Sequence, residues 1–425
     1  MGKNRAPSSW LKSAADDCSA SSAAGESKNG TLKRGKSRPK TMAELADKHQ
    51  LYHQAVQKPR KEVKNLDTIY RTLSARYLDH LAKPGHKARN RPAQRRSRAT
   101  SDDRCSQDDG SSSVFGGHRR HALSMREDFC GTAVLCAEWV RTSPSPERRA
   151  YGVDIDKSVI DYAHENTLGQ SHHGASISAR TRLICADVMD VRGVDNEEVE
   201  EEDGLVLPKV DIIASLNYAM CYFHQRRDLV RYLRHSLRNL NDFGLLFCDI
   251  FGGVEATRSG ISNIRDLGTF KYYFNQHSYD LARNTVRFSL GFKMSDGSVL
   301  RNCFSYEFRV YSICELKEAM LEAGFDDVSV WINSRKEDTA DDDSGRGSDN
   351  ENTGALAENG CSKSSSDVEE GSDQDDGDSE DEDGGIRSSQ GDFVAFTELT
   401  SRIEMPYAFN AYVVGVKLPC HDADA

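Results

Sequence analysis

The chain has 425 residues, enough by length for two or three domains, but only 37% are hydrophobic and 29% are charged. Long stretches carry no apolar periodicity, so the composition supports one folded part of roughly 270 residues, still enough for a sizeable core. The net charge of −11 is local in origin: residues 335–386 hold 19 Asp+Glu against 4 Lys+Arg, a local −15, which leaves +4 for the remainder.

Much of that positive charge sits in residues 33–40 and 83–98. The folded part is then near neutral or mildly acidic, which argues against a nucleic-acid partner. The eleven cysteines form no CxxC pair and no Cys/His cluster at ligand spacing, so no metal site is expected. A reduced, cytoplasmic setting is the simplest expectation, with basic stretches that permit nuclear import. With no run of about 18 apolar residues and no signal-like start, no membrane partner is expected either.

Residues 1–40, rich in Ser, Ala, Gly and Lys, read as a disordered basic tail. Residues 41–82 read as a helical lid, because Val63, Leu66, Ile69, Tyr70, Leu73 and Tyr77 recur at helical spacing and Pro59 marks a start or a break. Residues 83–120 form a second disordered linker.

The core, 121–334, opens on the stretch that organises the chain. A short strand at 122–125 runs into the small-residue turn Cys130-Gly131-Thr132-Ala133. A helix at 134–141 follows, with Leu135, Trp139 and Val140 on one side, and then a strand at 150–153 that ends on Asp154. In such a unit the turn's N–H groups and the acid converge on a nucleotide-like ligand. Gly131 lets the backbone approach closely, and the Asp154 carboxylate can accept hydrogen bonds from a ribose diol.

Asp156 is placed to cap the helix from Lys157. A third strand, 182–186, ends on Asp187, and a helix at 188–192 leads to an acidic loop through Asp203. The nearly all-apolar strand 210–216 opens onto Asn217-Tyr218, as a doubly covered parallel strand should. An amphipathic helix at 227–240 carries Leu229, Leu233, Ser236, Leu237 and Leu240 on one stripe. A turn at 241–244 precedes the strand 245–250, which ends near Asp249.

Strands at 270–274, 285–293 and 299–309 make a small antiparallel insertion, about 268–311, over the site. A capping box from Ser312 to Glu315 starts a helix that Gly324 ends. Strands at 328–332 and 411–418 finish the sheet, the latter within a closing region at 392–418, before a tail at 419–425. Between them, 335–391 is an acidic disordered insertion suited to a basic protein partner and to phosphorylation at Ser372 or Ser379.

The run Arg126 to Thr132, REDFCGT, followed by Asp154 and Asp187, resembles class I S-adenosylmethionine-dependent methyltransferases, and REDFCGT itself resembles a largely uncharacterised subgroup of them. Two of the family's usual glycines are Phe129 and Ala133 here, which leaves Gly131 as the flexible point of the turn. FRVYS followed by ELKEAMLEAGF is similar to the ending of small-molecule methyltransferases.

The resemblance implies an α/β fold: a Rossmann-like seven-stranded sheet with helices on both faces, plus lid, insertion and long disordered segments. It implies S-adenosyl-L-methionine as cofactor, held by Glu127, Cys130, Gly131, Thr132, Asp154, Ile155, Asp187, Val188 and Asn217. Asp187 would meet the adenine amino group, and Val188 would offer a backbone contact. Tyr218, Asp249 and Arg309 are the catalytic candidates; Tyr52, Tyr70, Tyr222 and Tyr311 are the substrate candidates, with His224 near them.

Arg309 could bind a substrate carboxylate bidentately or pair with Glu307 or Asp249, and the tyrosines could equally be packing aromatics. The implied activity is methyl transfer to a small-molecule N, O or carboxylate acceptor, which needs alignment more than strong acid–base groups. The alternatives are a protein or RNA methyltransferase and a cofactor-binding scaffold without turnover.

Overall fold

A computed structural model describes residues 39–81, 124–142, 148–169, 177–195, 205–335 and 396–419. The basic tail before residue 39, the linker at 83–120, the acidic insertion after residue 335, the end of the tail and most of the acidic loop before Asp203 lie outside the described residues.

Among the described residues three helices come first: α1 (Met42–Leu45), α2 (Lys48–Val56) and α3 (Pro59–Leu81). Thr41 and Glu44 close a capping box on α1, and the Asp47 carboxylate accepts the N–H groups of His49 and Gln50 at the start of α2. Pro59 opens α3 at the position where its missing N–H costs nothing. The stripe Val63, Leu66, Ile69, Tyr70, Leu73 and Tyr77 is buried as its spacing required.

The main sheet takes β1 (Ser124–Asp128), β2 (Arg149–Asp154), β3 (Thr181–Cys185), β6 (Val210–Ser215), β7 (Leu240–Gly252), β12 (Asp327–Arg335), β13 (Thr397–Glu398) and β14 (Ala408–Val416), in the order β13-β12-β14-β7-β6-β1-β2-β3. Strands β3, β2, β1, β6 and β7 are parallel; β14 runs antiparallel between β7 and β12. The expected Rossmann-like α/β sheet is thus present, with the two-residue β13 added at its edge. Chain order reverses between β1 and β6, and in open parallel sheets ligands bind at such a switch point, outside the strands' C-terminal ends.

Both faces of this sheet are covered. Along β7, Leu246, Cys248 and Ile250 face α6 (Arg226–Arg238) and α7 (Ile313–Ala323), while Leu245 and Phe247 face α3, α4 (Val134–Arg141) and α5 (Lys157–Tyr162). The period of two explains why the central strands read as continuous apolar runs.

A second sheet, β11-β10-β9-β8, is antiparallel: β8 (Ile261–Asp266), β9 (Phe270–Asp280), β10 (Thr285–Met294) and β11 (Val299–Arg309). The expected insertion is therefore four-stranded. Its edge strand β8 was missed because its two isoleucines, Ile261 and Ile264, fall on opposite faces and give no period-two apolar signature.

Several boundaries move. Strand β1 extends through Glu127 and Asp128, so both acids lie in the sheet. Residues 188–190 turn without forming a helix, and a short β4 (Arg192–Val194) pairs with β5 (Val206–Pro208). Helix α6 stops at Arg238, because Leu240 already pairs with Val210; the expected turn at 241–244 is a register irregularity within β7.

A buried arginine ties the first strand to the third loop. Arg126, 2% exposed, donates from Nε to Asp128 Oδ1 at 2.6 Å, from Nη2 to the Val188 carbonyl at 3.0 Å and from Nη1 to the Val191 carbonyl at 3.3 Å. Tyr232 OH donates to the other Asp128 oxygen at 2.8 Å. Breaking one side of such a pair leaves an uncompensated buried charge. Arg126→Met is expected to cost about 3–5 kcal/mol in urea unfolding, and adding Asp128→Leu should recover part of it. A single-variant loss below about 1 kcal/mol would show that the pair is not desolvated in solution.

Candidate active site

The loops that follow β1, β2, β3, β6 and β7 enclose one cavity of about 730 Å³. The β1–α4 loop lines it with Phe129, Cys130, Gly131 and Thr132. Phe129, Gly131 and Ala133 all adopt left-handed backbone, with φ of 61°, 51° and 55°. The two residues standing where the related motif has glycine therefore keep the conformation glycine would give, at a cost of roughly 1–2 kcal/mol each. A Cβ on Gly131 would meet nothing within 4 Å, so this backbone faces open space.

Carboxylates from neighbouring strands hold the loop. Asp154 Oδ2 accepts the Gly131 N–H at 2.8 Å, and Asp154 Oδ1 accepts the Asp156 N–H at 2.9 Å. Ala133 has no side chain with which to cap α4. Glu127 does it instead from within β1, its Oε2 accepting the Cys136 N–H at 3.2 Å and the Cys136 thiol at 3.1 Å. The Thr167 hydroxyl, in the π-helical turn Ala163–Thr167 after α5, donates to the Thr132 carbonyl at 2.7 Å.

Strand β6 ends in a second strained turn, with Asn217 and Tyr218 at φ 57° and 62°. Their N–H groups donate to the Asp249 carboxylate at 3.1 and 2.7 Å. Asp249 lies on β7 beside them, so the same residue lines the cavity and shapes its wall.

The antiparallel sheet supplies aromatic walls. On β11, Phe304, Tyr306 and Phe308 face the cavity at every second position. From α2, Tyr52 packs on Phe304 with ring centres 5.0 Å apart and shares a hydrogen bond with Tyr306. Tyr222 stands edge-on to Phe308 at 4.8 Å. Among the described residues lining the cavity, six are acidic (Glu62, Asp154, Asp156, Asp187, Asp249 and Glu255), against Lys48 as the one lysine or arginine.

Burial raises the phenol pKa values of Tyr52, Tyr218, Tyr222 and Tyr306, so these hydroxyls stay protonated and serve as walls and donors, not as bases. Tyr218 already spends its hydroxyl on Asn410 Oδ1 at 2.8 Å. Burial also raises Asp154, against the opposing pull of the Asp156 and Gly131 N–H groups, and raises Glu62, whose Oε2 accepts from Tyr412 OH. Glu127 and Asp249 are both pushed up to about 8, burial being the main cause in each.

Of the residues named from sequence for the cofactor, Cys130, Gly131, Thr132, Asp154, Ile155, Asp187, Val188 and Asn217 line this one cavity. Glu127 does not; its carboxylate is turned under the loop to cap α4. Tyr218, Asp249, Tyr52 and Tyr222 also line it.

Three others are elsewhere. Arg309, one residue past Phe308, falls on the opposite side of β11, where it pairs with Glu315 at 2.6 Å and donates to the His224 carbonyl at 2.9 Å. Tyr311 is 1% exposed with its hydroxyl on the Phe223 carbonyl, and Tyr70 belongs to the core beneath α3. Tyr70 lies two turns, roughly 12 Å, along the helix from Glu62. His224 is also outside, its ring on the Glu307 carbonyl at 2.9 Å.

Sequence reading missed Glu62 and the aromatic face of β11. The alternation Phe304, Tyr306, Phe308 was the available signal for the second. Glu62 gave none beyond an acid adjoining an apolar helical stripe.

No protein-family model and no curated protein matches the chain. Similar solved structures include S-adenosylmethionine-bound CalS10, an amino pentose methyltransferase from Micromonospora echinaspora, with 12% identity over 67% of this chain and 90% of that one and a TM-score of 0.41. The sugar N-methyltransferase KedS8 from a Streptoalloteichus species shares 16% identity over 71% and 91%, with a TM-score of 0.38. A methyltransferase from Clostridium acetobutylicum shares 18% over 48% and 74%, with a TM-score of 0.35. These are weak likenesses in both sequence and superposition.

The raised carboxyls predict a pH response. In the unfolded chain they titrate near 4, so between about pH 4 and 8 the folded state binds more protons than the unfolded one. The stability they contribute is complete below the unfolded value and is lost as pH rises through the folded value of about 8. Thermal melts should show Tm falling from about pH 5 to pH 9, with Glu127→Gln flattening the fall because its amide oxygen still caps α4. A Tm that climbs over that range would mean these carboxyls are ionised in the fold.

Proposed function

We propose that this chain is an S-adenosylmethionine-dependent methyltransferase acting on a small-molecule nucleophile by in-line displacement. One observation carries the reading. Eight residues from loops after β1, β2, β3 and β6, assigned to a cofactor from sequence alone, share a single cavity at the switch point of a parallel sheet.

The residues present suit that cofactor. Asp154 has acceptor capacity left beyond its two backbone donors, as a ribose diol requires. The open space over Gly131 admits the close approach of a ligand to backbone. Ile155, an apolar side chain 39% exposed beside Asp154, offers a face to a purine, and Asp187, with one oxygen on the Met189 N–H at 2.9 Å, keeps its other for an amino group.

When bound, the cofactor would supply an electrophilic methyl on a sulfonium, with sulfur as the leaving group. The protein's own part is placement and exclusion of water. The aromatic walls and the lid confine the acceptor, and Asp249 fixes the β6 turn between the two halves of the cavity.

A cavity of about 730 Å³ lies in the range of small-molecule sites. It is roofed by helices tied down at two places: the Met42 and Ala43 N–H groups donate to Asp296 and Ser298 on the β10–β11 turn, and Tyr162 OH donates to Asp47 at 2.7 Å. This enclosure favours a small acceptor over a macromolecule. The scaffold reading loses its motive, since Phe129 and Ala133 hold the left-handed geometry that the missing glycines would have given.

Titration calorimetry with S-adenosylmethionine and S-adenosylhomocysteine tests the reading, followed by an acceptor screen read by mass spectrometry. Asp154→Ala should weaken cofactor binding by about 1–3 kcal/mol. Gly131→Ala should weaken it by on the order of tenfold while lowering stability by roughly 1 kcal/mol, because a methyl enters the ligand's path on a left-handed residue. No binding by the unaltered chain would end the proposal; unchanged affinity in Asp154→Ala would take Asp154 out of the site.

A further inference from the structure

The acceptor half of the cavity is built by the lid, the β6–β7 loops and the antiparallel sheet, and its chemistry is lopsided. Its walls are rings: Tyr52, Tyr218, Tyr222, Phe304, Tyr306 and Phe308. Its acids are Glu62 from α3, Asp249 from β7 and Glu255 beyond it, and α2 brings His49 and Lys48, whose Nζ lies 5.5 Å from the Phe304 ring centre. Glu255 already accepts from Asn263 Nδ2 at 3.0 Å, and its backbone N–H donates to the Tyr407 carbonyl at 3.0 Å.

Glu62 and Asp249 accept only neutral donors: Tyr412 OH for the first, and the Asn217 and Tyr218 N–H groups for the second. Among the described residues neither makes a salt bridge. Each raises the proton affinity of its surroundings, Glu62 acting on Asp249 directly. The arginine expected from sequence to receive an acceptor's carboxylate, Arg309, is on the far side of β11 and committed to Glu315.

We propose that the acceptor is an amine carried on an aromatic or apolar body, drawn in as its ammonium form by Glu62 and Asp249 and faced by the surrounding rings. This deepens the methyltransferase reading and rests on it for the division of the cavity into cofactor and acceptor halves. An ammonium is the one common nucleophile precursor that gains from both features: its arrival makes ionisation of a buried carboxyl favourable, the displaced proton going to solvent, and it lies against the electron-rich faces of the rings. A carboxylate would be repelled by either acid once ionised, and a neutral alcohol would form no ion pair.

The carboxylates also suit the next event. The ammonium must shed a proton to expose its lone pair, and Asp249, a carboxylate made more basic by burial, can accept it; the proton moves from nitrogen to oxygen, leaving a neutral amine and a neutral carboxyl.

The test uses the full chain saturated with S-adenosylhomocysteine and three probes of matched shape: 2-phenylethylamine, 2-phenylethanol and 3-phenylpropanoate, titrated at neutral pH by ligand-observed NMR and calorimetry. The amine should bind about tenfold or more tighter than the alcohol, with the carboxylate weakest. Glu62→Gln, which keeps an acceptor for Tyr412 OH, should reduce that preference severalfold while S-adenosylhomocysteine still binds.

Equal binding of amine and alcohol, or a preference for the carboxylate, overturns the inference, and neither result needs a variant to fold. Failure of S-adenosylhomocysteine to bind is a separate result that strikes the methyltransferase reading. The same three probes on the unloaded chain then still decide the amine preference.

Discussion

Strained loops at the C-terminal edge of a parallel sheet need partners for their N–H groups, and in this protein those partners are carboxylates rooted in the strands themselves. Glu127 on β1 caps α4, Asp154 on β2 holds Gly131, and Asp249 on β7 holds Asn217 and Tyr218. Five residues of these two loops have positive φ, and four of them are not glycine. A turn paying about 1–2 kcal/mol per such residue persists only where the surroundings over-determine it. Remove the acids and the Gly131, Asn217 and Tyr218 N–H groups lose the partners that hold them.

That arrangement explains why so many acids are buried together with so few basic groups. A carboxylate stacked against backbone N–H groups is stabilised by hydrogen bonds without a counter-ion, but burial still disfavours its charge. The raised values of Glu127 and Asp249 follow, and so does a cavity in which a cation gains by pairing with a carboxyl that ionises on its arrival. Loop bracing and ligand selection are then two consequences of one set of side chains. Where an ion pair was needed for structure, as between Arg126 and Asp128, it lies beneath the loops and not in the cavity.

Local signals were read well from sequence and directional ones poorly. Val134–Arg141 was bounded to the residue, Asp156 and Ser312 cap the helices they were assigned to, and Gly324 ends α7 in left-handed backbone. Each depends on a few adjacent residues. The residues assigned to the wrong place differ in kind. Whether Arg309 faces the cavity depends on a one-residue phase in β11 that no short motif encodes, since Phe308 takes the inward position. Tyr70 and Tyr311 have the composition of pocket aromatics, but their placement depends on how α3 and α7 pack against the sheet. Glu127 was legible as important and illegible in role, because capping from a neighbouring strand leaves no pattern within the helix it caps. Strand β8 escaped because an edge strand with one half-buried face carries little apolar content.

The two halves of the cavity have different origins in the chain, and this bears on what can vary. The half that meets Gly131, Asp154 and Asp187 is made of loops between consecutive sheet elements, whose geometry is set by strand spacing and by the carboxylate braces. The half that meets Tyr52, Glu62 and the β11 aromatics is made of a helical lid preceding the sheet and a four-stranded insertion between β7 and α7. Substitutions on the inner faces of those two pieces alter walls and charge, and of the residues named here Glu62 bonds to the main sheet, through Tyr412 OH on β14. Asp249 and the turn it holds belong to both halves, so acceptor choice and cofactor hold are coupled at that residue. A change at Asp249 therefore moves both properties together, whereas a change at Glu62 acts on acceptor binding through its charge and through its bond with Tyr412 OH.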